Sequence, residues 1–251
     1  MTDTDVLAQP LPGVSNLPLC YGSLTPLVAQ RHGALRYKAP GRYDFSATVN
    51  AVPLLAEEFP RAQGAYPIVF TSAEPHLPVA LLGHETGRNE FVDADGTWRK
   101  DTYVPAYLRR YPFALVSEKE GSDRMLLCAD VGASGFCETG PDPLLFDGDQ
   151  PSETATRIID FCKRYEESLQ RTRAMVRELS DLGLLEDSTV RIARGGVAHR
   201  VEGFRMISET KMRALDDAPL ASLARRGVIG LASAHIFSTQ RFSDLVLGEP
   251  Q

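Results

Sequence analysis

Residues 152–182 read SETATRIIDFCKRYEESLQRTRAMVRELSDL, and their periodicity decides how the rest of the chain is organised. Ala155, Ile158, Cys162, Tyr165, Leu169, Thr172, Val176 and Leu179 recur at alternating steps of three and four, which puts them on one face of a helix. Ser152 offers a hydroxyl N-cap, and Gly183 can adopt the left-handed conformation that ends a helix. The predicted helix is about 45 Å long at 1.5 Å per residue. Acid-before-base pairs four apart, Glu153/Arg157, Asp160/Arg164 and Glu167/Arg171, support its other faces. Cys162, Tyr165 and Thr172 are mediocre coiled-coil core residues, so the stripe is expected to pack within the chain, with a homodimer left open.

Upstream of this helix the period changes. Short apolar runs at 43–52, 66–71, 79–83, 90–92, 113–118 and 125–130 alternate with turn signals and read as strands. Turns are marked at 93–96 and 120–123 by acidic residues, serine and glycine. Two short helices are expected among them, at 53–62 and at 104–111, the second closed by Pro112. Downstream, 190–193 and 199–207 flank Gly195-Gly196 as a hairpin, 209–215 reads as a helix, and 220–247 reads as helical with breaks at Gly227 and Gly230.

The fold class is therefore α+β: an antiparallel-rich sheet from the N-terminal half, packed against the long helix and shorter C-terminal helices. The organisation expected is a loosely ordered arm over 1–20 and a single domain over 21–247. That domain is strand-rich over 31–139, has a connector at 140–151, and is helix-rich over 152–247.

Charge excludes several roles. Lys plus Arg number 27 against 33 Asp plus Glu, a net charge of -6, so nothing global recruits nucleic acid or an anionic membrane. The uncharged run 6–30 exceeds the roughly 20 residues needed to span a bilayer. Pro10, Pro12, Pro18 and Pro26 interrupt it, so membrane insertion is not expected. The acidic start, with Asp3 and Asp5, lacks the basic region of a secretory signal. Cys20, Cys128, Cys137 and Cys162 show no C-x-x-C spacing and read as reduced thiols of a cytoplasmic protein.

Nucleotide-binding loops are absent, and no cofactor is expected. The pairs Asp93/Asp95 and Asp147/Asp149 lack the further ligands of a calcium loop and read as turns. No G-x-S-x-G elbow occurs, and the catalytic residues, if any, are unknown. Cys20 and Cys137 lie in loops where they could react, with no basic neighbour in sequence. Among the histidines, His84 follows an apolar strand and His235 sits in an apolar helix, where a hydrogen-bonded core role is favoured. An enzyme reading, perhaps metal-dependent, would use His84 or His235 with a carboxylate such as Asp93.

The most unusual composition lies at 98–113. Trp98, Tyr103, Tyr107 and Tyr111 fall beside Arg109 and Arg110, and tyrosines four apart would line one helix face. Such a segment either packs a helix onto the sheet or stacks on a flat ligand while guanidinium groups hold its anionic group. Adjacent arginines point about 100° apart on a helix, so both cannot face the core.

The string Tyr103-Val104-Pro105-Ala106-Tyr107-Leu108-Arg109-Arg110-Tyr111-Pro112-Phe113 also resembles the SapC family of bacterial proteins. So do Arg31-His32-Gly33, Val49-Asn50-Ala51-Val52-Pro53-Leu54, Glu58-Phe59-Pro60, Tyr66-Pro67-Ile68-Val69-Phe70, Phe91-Val92-Asp93, Gly203-Phe204 and Ala234-His235-Ile236-Phe237-Ser238. The family is named from a surface-layer protein locus, and the resemblance implies no transferable catalytic set. Neighbouring genes for outer-membrane nutrient receptors imply an accessory role in envelope or uptake systems. The expectation is a cytoplasmic accessory or binding protein whose partner is a small anionic or sugar-like ligand, or another protein. Its ligand residues would be Trp98, Tyr103, Tyr107, Arg109, Arg110 and Tyr111.

Overall fold

In a computed structural model, which describes residues 3–5, 17–118, 124–194 and 197–245, the long helix runs Glu153–Asp181. Its ends form as the sequence implies. The Ala155 N–H donates to Ser152 Oγ at 3.2 Å, while Gly183 turns left-handed at φ 68° and lets the Leu184 N–H reach the Leu179 carbonyl at 2.9 Å. Ala155, Cys162, Tyr165, Thr172, Val176 and Leu179 are buried, with Ile158 and Leu169 half-buried. Of the expected surface pairs, Arg157 meets Glu153 at 3.6 Å. Arg171 instead reaches Glu57 at 3.1 Å.

Helix makes up 37% and strand 23%, and with antiparallel sheets this is the expected α+β class. The chain divides into two compact units, one drawing its described residues from 3–5, 43–106 and 168–245, the other from 17–42 and 107–167. In the first unit a six-stranded sheet runs Asp3–Asp5, Val197–Ile207, Ile68–Thr71, Pro78–Leu81 and Ala51–Pro53, with Leu185–Arg194 also paired to Val197–Ile207. Every pairing in it is antiparallel except that of Asp3–Asp5 with the stretch around Val201. Ile68, Val69, Phe70, Ala80 and Leu81 have no exposed surface. Burial on both faces is why these strands read as continuous apolar runs instead of alternating.

The second unit holds a three-stranded antiparallel sheet of Thr25–Pro26, Met125–Ala129 and Phe113–Ser117. Its core gathers Tyr37, Phe113, Ala129 and Leu145 against Ala155 and Cys162 of the long helix.

Several boundaries differ from expectation for identifiable reasons. The strand expected at 43–52 is a tight turn over Asp44–Ser46 followed by Ala51–Pro53. The Ser46 and Ala47 N–H groups bond back to Tyr43 and Asp44, the local bonding that Asp and Ser favour over a ladder. The helix expected at 53–62 is one turn over Ala56–Glu58 and another over Phe59–Ala62. The run at 90–92 contributes only a bridge from Val92 to Trp98. Gly227 separates Asp217–Arg225 from Val228–Ser238, whereas Gly230 lies inside the second helix. The Asp93 and Asp147 turns form as expected, with Gly96 and Gly148 at positive φ. The 120–123 turn, Gly195-Gly196, most of the 1–20 arm and everything beyond 245 lie outside the described residues. No helix among the described residues is long and apolar enough to cross a membrane.

Candidate functional site

The aromatic and arginine segment is divided by Pro105. A proline disfavours helix for the residue before it, and the helix accordingly spans only Ala106–Arg110. Tyr103 therefore does not share a helix face with Tyr107 and Tyr111. It belongs to the first unit, where its hydroxyl donates to Glu58 Oε1 at 2.8 Å. Trp98 is there too, buried with its ring 5.3 Å from Tyr43 and 6.0 Å from Phe91. The remaining four candidates belong to the other unit.

Those four stay together in the second unit. The Tyr107 hydroxyl donates to the Leu19 carbonyl at 2.8 Å. The Arg110 guanidinium carbon lies 4.4 Å from the Tyr165 ring centroid, 4.9 Å from Tyr107 and 5.9 Å from Tyr21, and Nη1 reaches Glu166 Oε1 at 3.1 Å. Cation and ring faces attract through the ring quadrupole, more strongly where water is excluded. Burial pushes the Tyr21 and Tyr107 phenols up, so both stay neutral beside the cation. The Tyr111 ring meets Tyr21 edge-on at 5.1 Å. Its phenol is pushed up to about 12, by burial first and by the Asp130 carboxylate next.

Arg109 takes the other direction. It is exposed, with its guanidinium 5.4 Å from the Phe161 ring of the long helix. Below it lies a cavity of about 330 Å3 walled by Tyr37, Phe113, Ile158, Phe161 and Cys162, with Arg109, Arg110 and Arg157 contributing cations. Three expected ligand residues, Arg109, Arg110 and Tyr111, thus line one cavity. Phe161 and Arg157 were missed by sequence reasoning. The available signal was an aromatic one position before the buried stripe, four residues after an arginine.

A larger cavity, about 540 Å3, lies in the first unit against Ala56, Met175, Val228 and Leu231. Its charged side chains pair with one another, Arg171 with Glu57 and Arg226 with Glu178, and none of the expected ligand residues lines it.

Among the described residues the candidate nucleophiles and metal ligands are found in separate settings. Burial pushes the Cys20 thiol up to about 12 and Cys162 to about 11, which opposes formation of either thiolate. His84 Nδ1 is 2.6 Å from Glu90 Oε1, and Asp93 is exposed in its turn. His235 has no exposed surface. Its Nε2 accepts the Ile207 N–H at 3.1 Å, so Nδ1 carries the proton and donates to the Ile68 carbonyl at 2.8 Å. Both nitrogens are spent on backbone, which removes His235 from the metal reading. Among the described residues no three His, Cys, Asp or Glu gather closely enough to hold a metal ion.

Comparison with known proteins adds a family. A family model described as SapC matches residues 27–245. No curated protein and no solved structure matches the chain.

Proposed function

The chain belongs to the SapC family, and on that footing we propose that it is a cytoplasmic accessory binding protein which takes a small anionic ligand in the arginine-lined cavity. The observation that carries this reading is the cavity itself. Arg109, Arg110 and Arg157 line it together, and no carboxylate side chain is among its lining residues. Arginine suits the task because its planar fork matches a carboxylate or phosphate and never loses its charge. Glu166 and three rings hold Arg110 in place, so ordering it costs little at the moment of binding. The free thiols of Cys20, Cys128, Cys137 and Cys162 support a reducing compartment. An envelope or nutrient-uptake system is the context that the family resemblance implies.

Calorimetric titration with acetate, phosphate, octanoate and 4-phenylbutyrate tests the reading. At least one anion should bind with one-to-one stoichiometry, and Arg109→Ala and Arg157→Ala should each weaken it about five- to tenfold, as expected for loss of a charge-assisted hydrogen bond. No binding by any of the four, or binding indifferent to both substitutions, would sink it.

A further inference from the structure

The larger cavity, in the first unit, is a second site, independent of the anion-binding reading. We infer that it takes an uncharged, largely apolar molecule carrying a single oxygen, a hydroxyl or a carbonyl, which bonds to Ser168. Three observations carry this.

The first is Ser168 itself. It lines the cavity and is only 2% exposed. A hydroxyl inside a helix can donate to the carbonyl four residues back. Thr172 does so, reaching the Ser168 carbonyl at 2.8 Å, and it also accepts the Ala56 N–H at 2.9 Å. Its proton is thereby spent. The Ser168 hydroxyl, by contrast, has no hydrogen-bond partner among the described residues. A buried hydroxyl left unpaired is unfavourable, and an oxygen in the cavity relieves it.

The second is charge balance. Two arginines and two glutamates line the cavity, and each cation has its carboxylate: Arg171 Nη2 lies 3.1 Å from Glu57 Oε2, and Arg226 pairs with Glu178. A carboxylate or an ammonium entering here gives up hydration without meeting an unopposed counter-charge. Dehydrating an ion costs far more than dehydrating a neutral hydroxyl. The Val228–Ser238 helix also begins at this wall, with Gly227 as an N-cap that offers no side chain. The partial positive charge of that first turn favours an oxygen over an amine.

The third is size and surface. A volume of about 540 Å3 lies within the range of small-molecule sites. Ala56, Ala174, Met175, Val228 and Leu231 supply the carbon surface, and the unbranched Met175 side chain can adapt to the shape of an apolar body.

Equilibrium dialysis of the full chain at pH 7.5 against 2-naphthol, naphthalene, 2-naphthoate and 2-naphthylmethylammonium tests the inference. Ala174 is an exposed position of the long helix that lines the cavity, so Ala174→Trp fills it, and Ala174→Phe serves if the tryptophan variant fails to fold. The arginine-lined cavity would take 2-naphthoate as well, so only binding removed by the Ala174 substitution is counted. On that measure 2-naphthol should bind one-to-one and at least about tenfold tighter than either ion, following the hydration argument. It should exceed naphthalene by about three- to tenfold, the worth of one neutral hydrogen bond. Ser168→Ala should erase the advantage over naphthalene while leaving naphthalene binding and the fold intact. Glu57→Gln, which leaves Arg171 uncompensated, should strengthen 2-naphthoate binding and leave 2-naphthol unchanged. Failure of 2-naphthol to bind, or binding indifferent to both Ala174 substitutions, would overturn the site. An ion binding here as tightly as 2-naphthol, or an advantage over naphthalene that survives Ser168→Ala, would overturn the ligand class. None of these outcomes bears on the anion-binding cavity, whose test uses Arg109 and Arg157.

Discussion

Arg110 Nη1 stands 3.1 Å from Glu166 Oε1, with the guanidinium side chain only 8% exposed and the carboxylate 29%. Its neighbour Arg109 is exposed. Adjacent positions on one short helix thus carry opposite burdens, the inner one stability and the outer one the proposed recognition.

Urea unfolding should separate them. Arg110→Ala is expected to cost about 3 kcal/mol, since it strands a partly buried carboxylate and removes the cation from three rings. Glu166→Gln should cost less, about 1 kcal/mol, because part of that carboxylate is already hydrated. Arg109→Ala should stay within about 0.5 kcal/mol of the parent. A reversed order between the two arginines would contradict the assignment.

His235 gives a dependence on pH. Burial holds its pKa at about 4, against the ordinary 6.5. Between those values the unfolded chain binds the proton that the native state refuses, so stability falls as pH drops from about 6.5 to 4 and is insensitive to this group below that. The loss is on the order of 3 kcal/mol. His235→Gln should flatten that part of the stability profile. A slope unchanged by the substitution would assign it to other groups.

Two glycines three residues apart should respond with opposite signs. Gly227 has φ 75°, where a Cβ costs roughly 1–2 kcal/mol, so Gly227→Ala should destabilise. Gly230 is helical with open space around an added Cβ, and Gly230→Ala should stabilise by about 0.5–1 kcal/mol. Thermal midpoints moving in the same direction would refute this contrast.

On the long helix, Ile158 and Leu169 alone among the stripe positions are not fully buried. Leu169→Glu should therefore lower stability by about 1–2 kcal/mol without altering the molar mass seen by light scattering. A dimer that dissociates on this substitution would instead make the stripe an interface between copies.

The long helix was legible because stripe, N-cap and terminal glycine agree on one answer. The Ile68–Thr71 and Pro78–Leu81 strands were legible for a related reason, their unbroken apolar character. The turn at Asp44–Ser46 was not, since Phe45 and its neighbours read as strand until the Asp and Ser bonding competes. Of the candidate site, the Arg109–Arg110–Tyr111 run was visible as composition. Trp98 and Tyr103 were assigned to it by proximity in sequence, which Pro105 undoes. Phe161 and Arg157 come from the helix that the sequence displayed most clearly, yet only tertiary packing turns them toward those arginines.

The bond from His235 to the Ile68 carbonyl joins positions 167 apart in the chain. A ribosome adding about 5–20 residues per second needs roughly ten to thirty seconds to cover that distance. For most of that interval the Val197–Ile207 strand is not yet made, and until its end the Val228–Ser238 helix is incomplete, while the most apolar strands of the first unit are outside the tunnel or entering it. Nascent chains arrested near residue 190 should accordingly bind trigger-type chaperones and precipitate without them. Synthesis, then, exposes this protein to aggregation for longer than its finished stability would suggest.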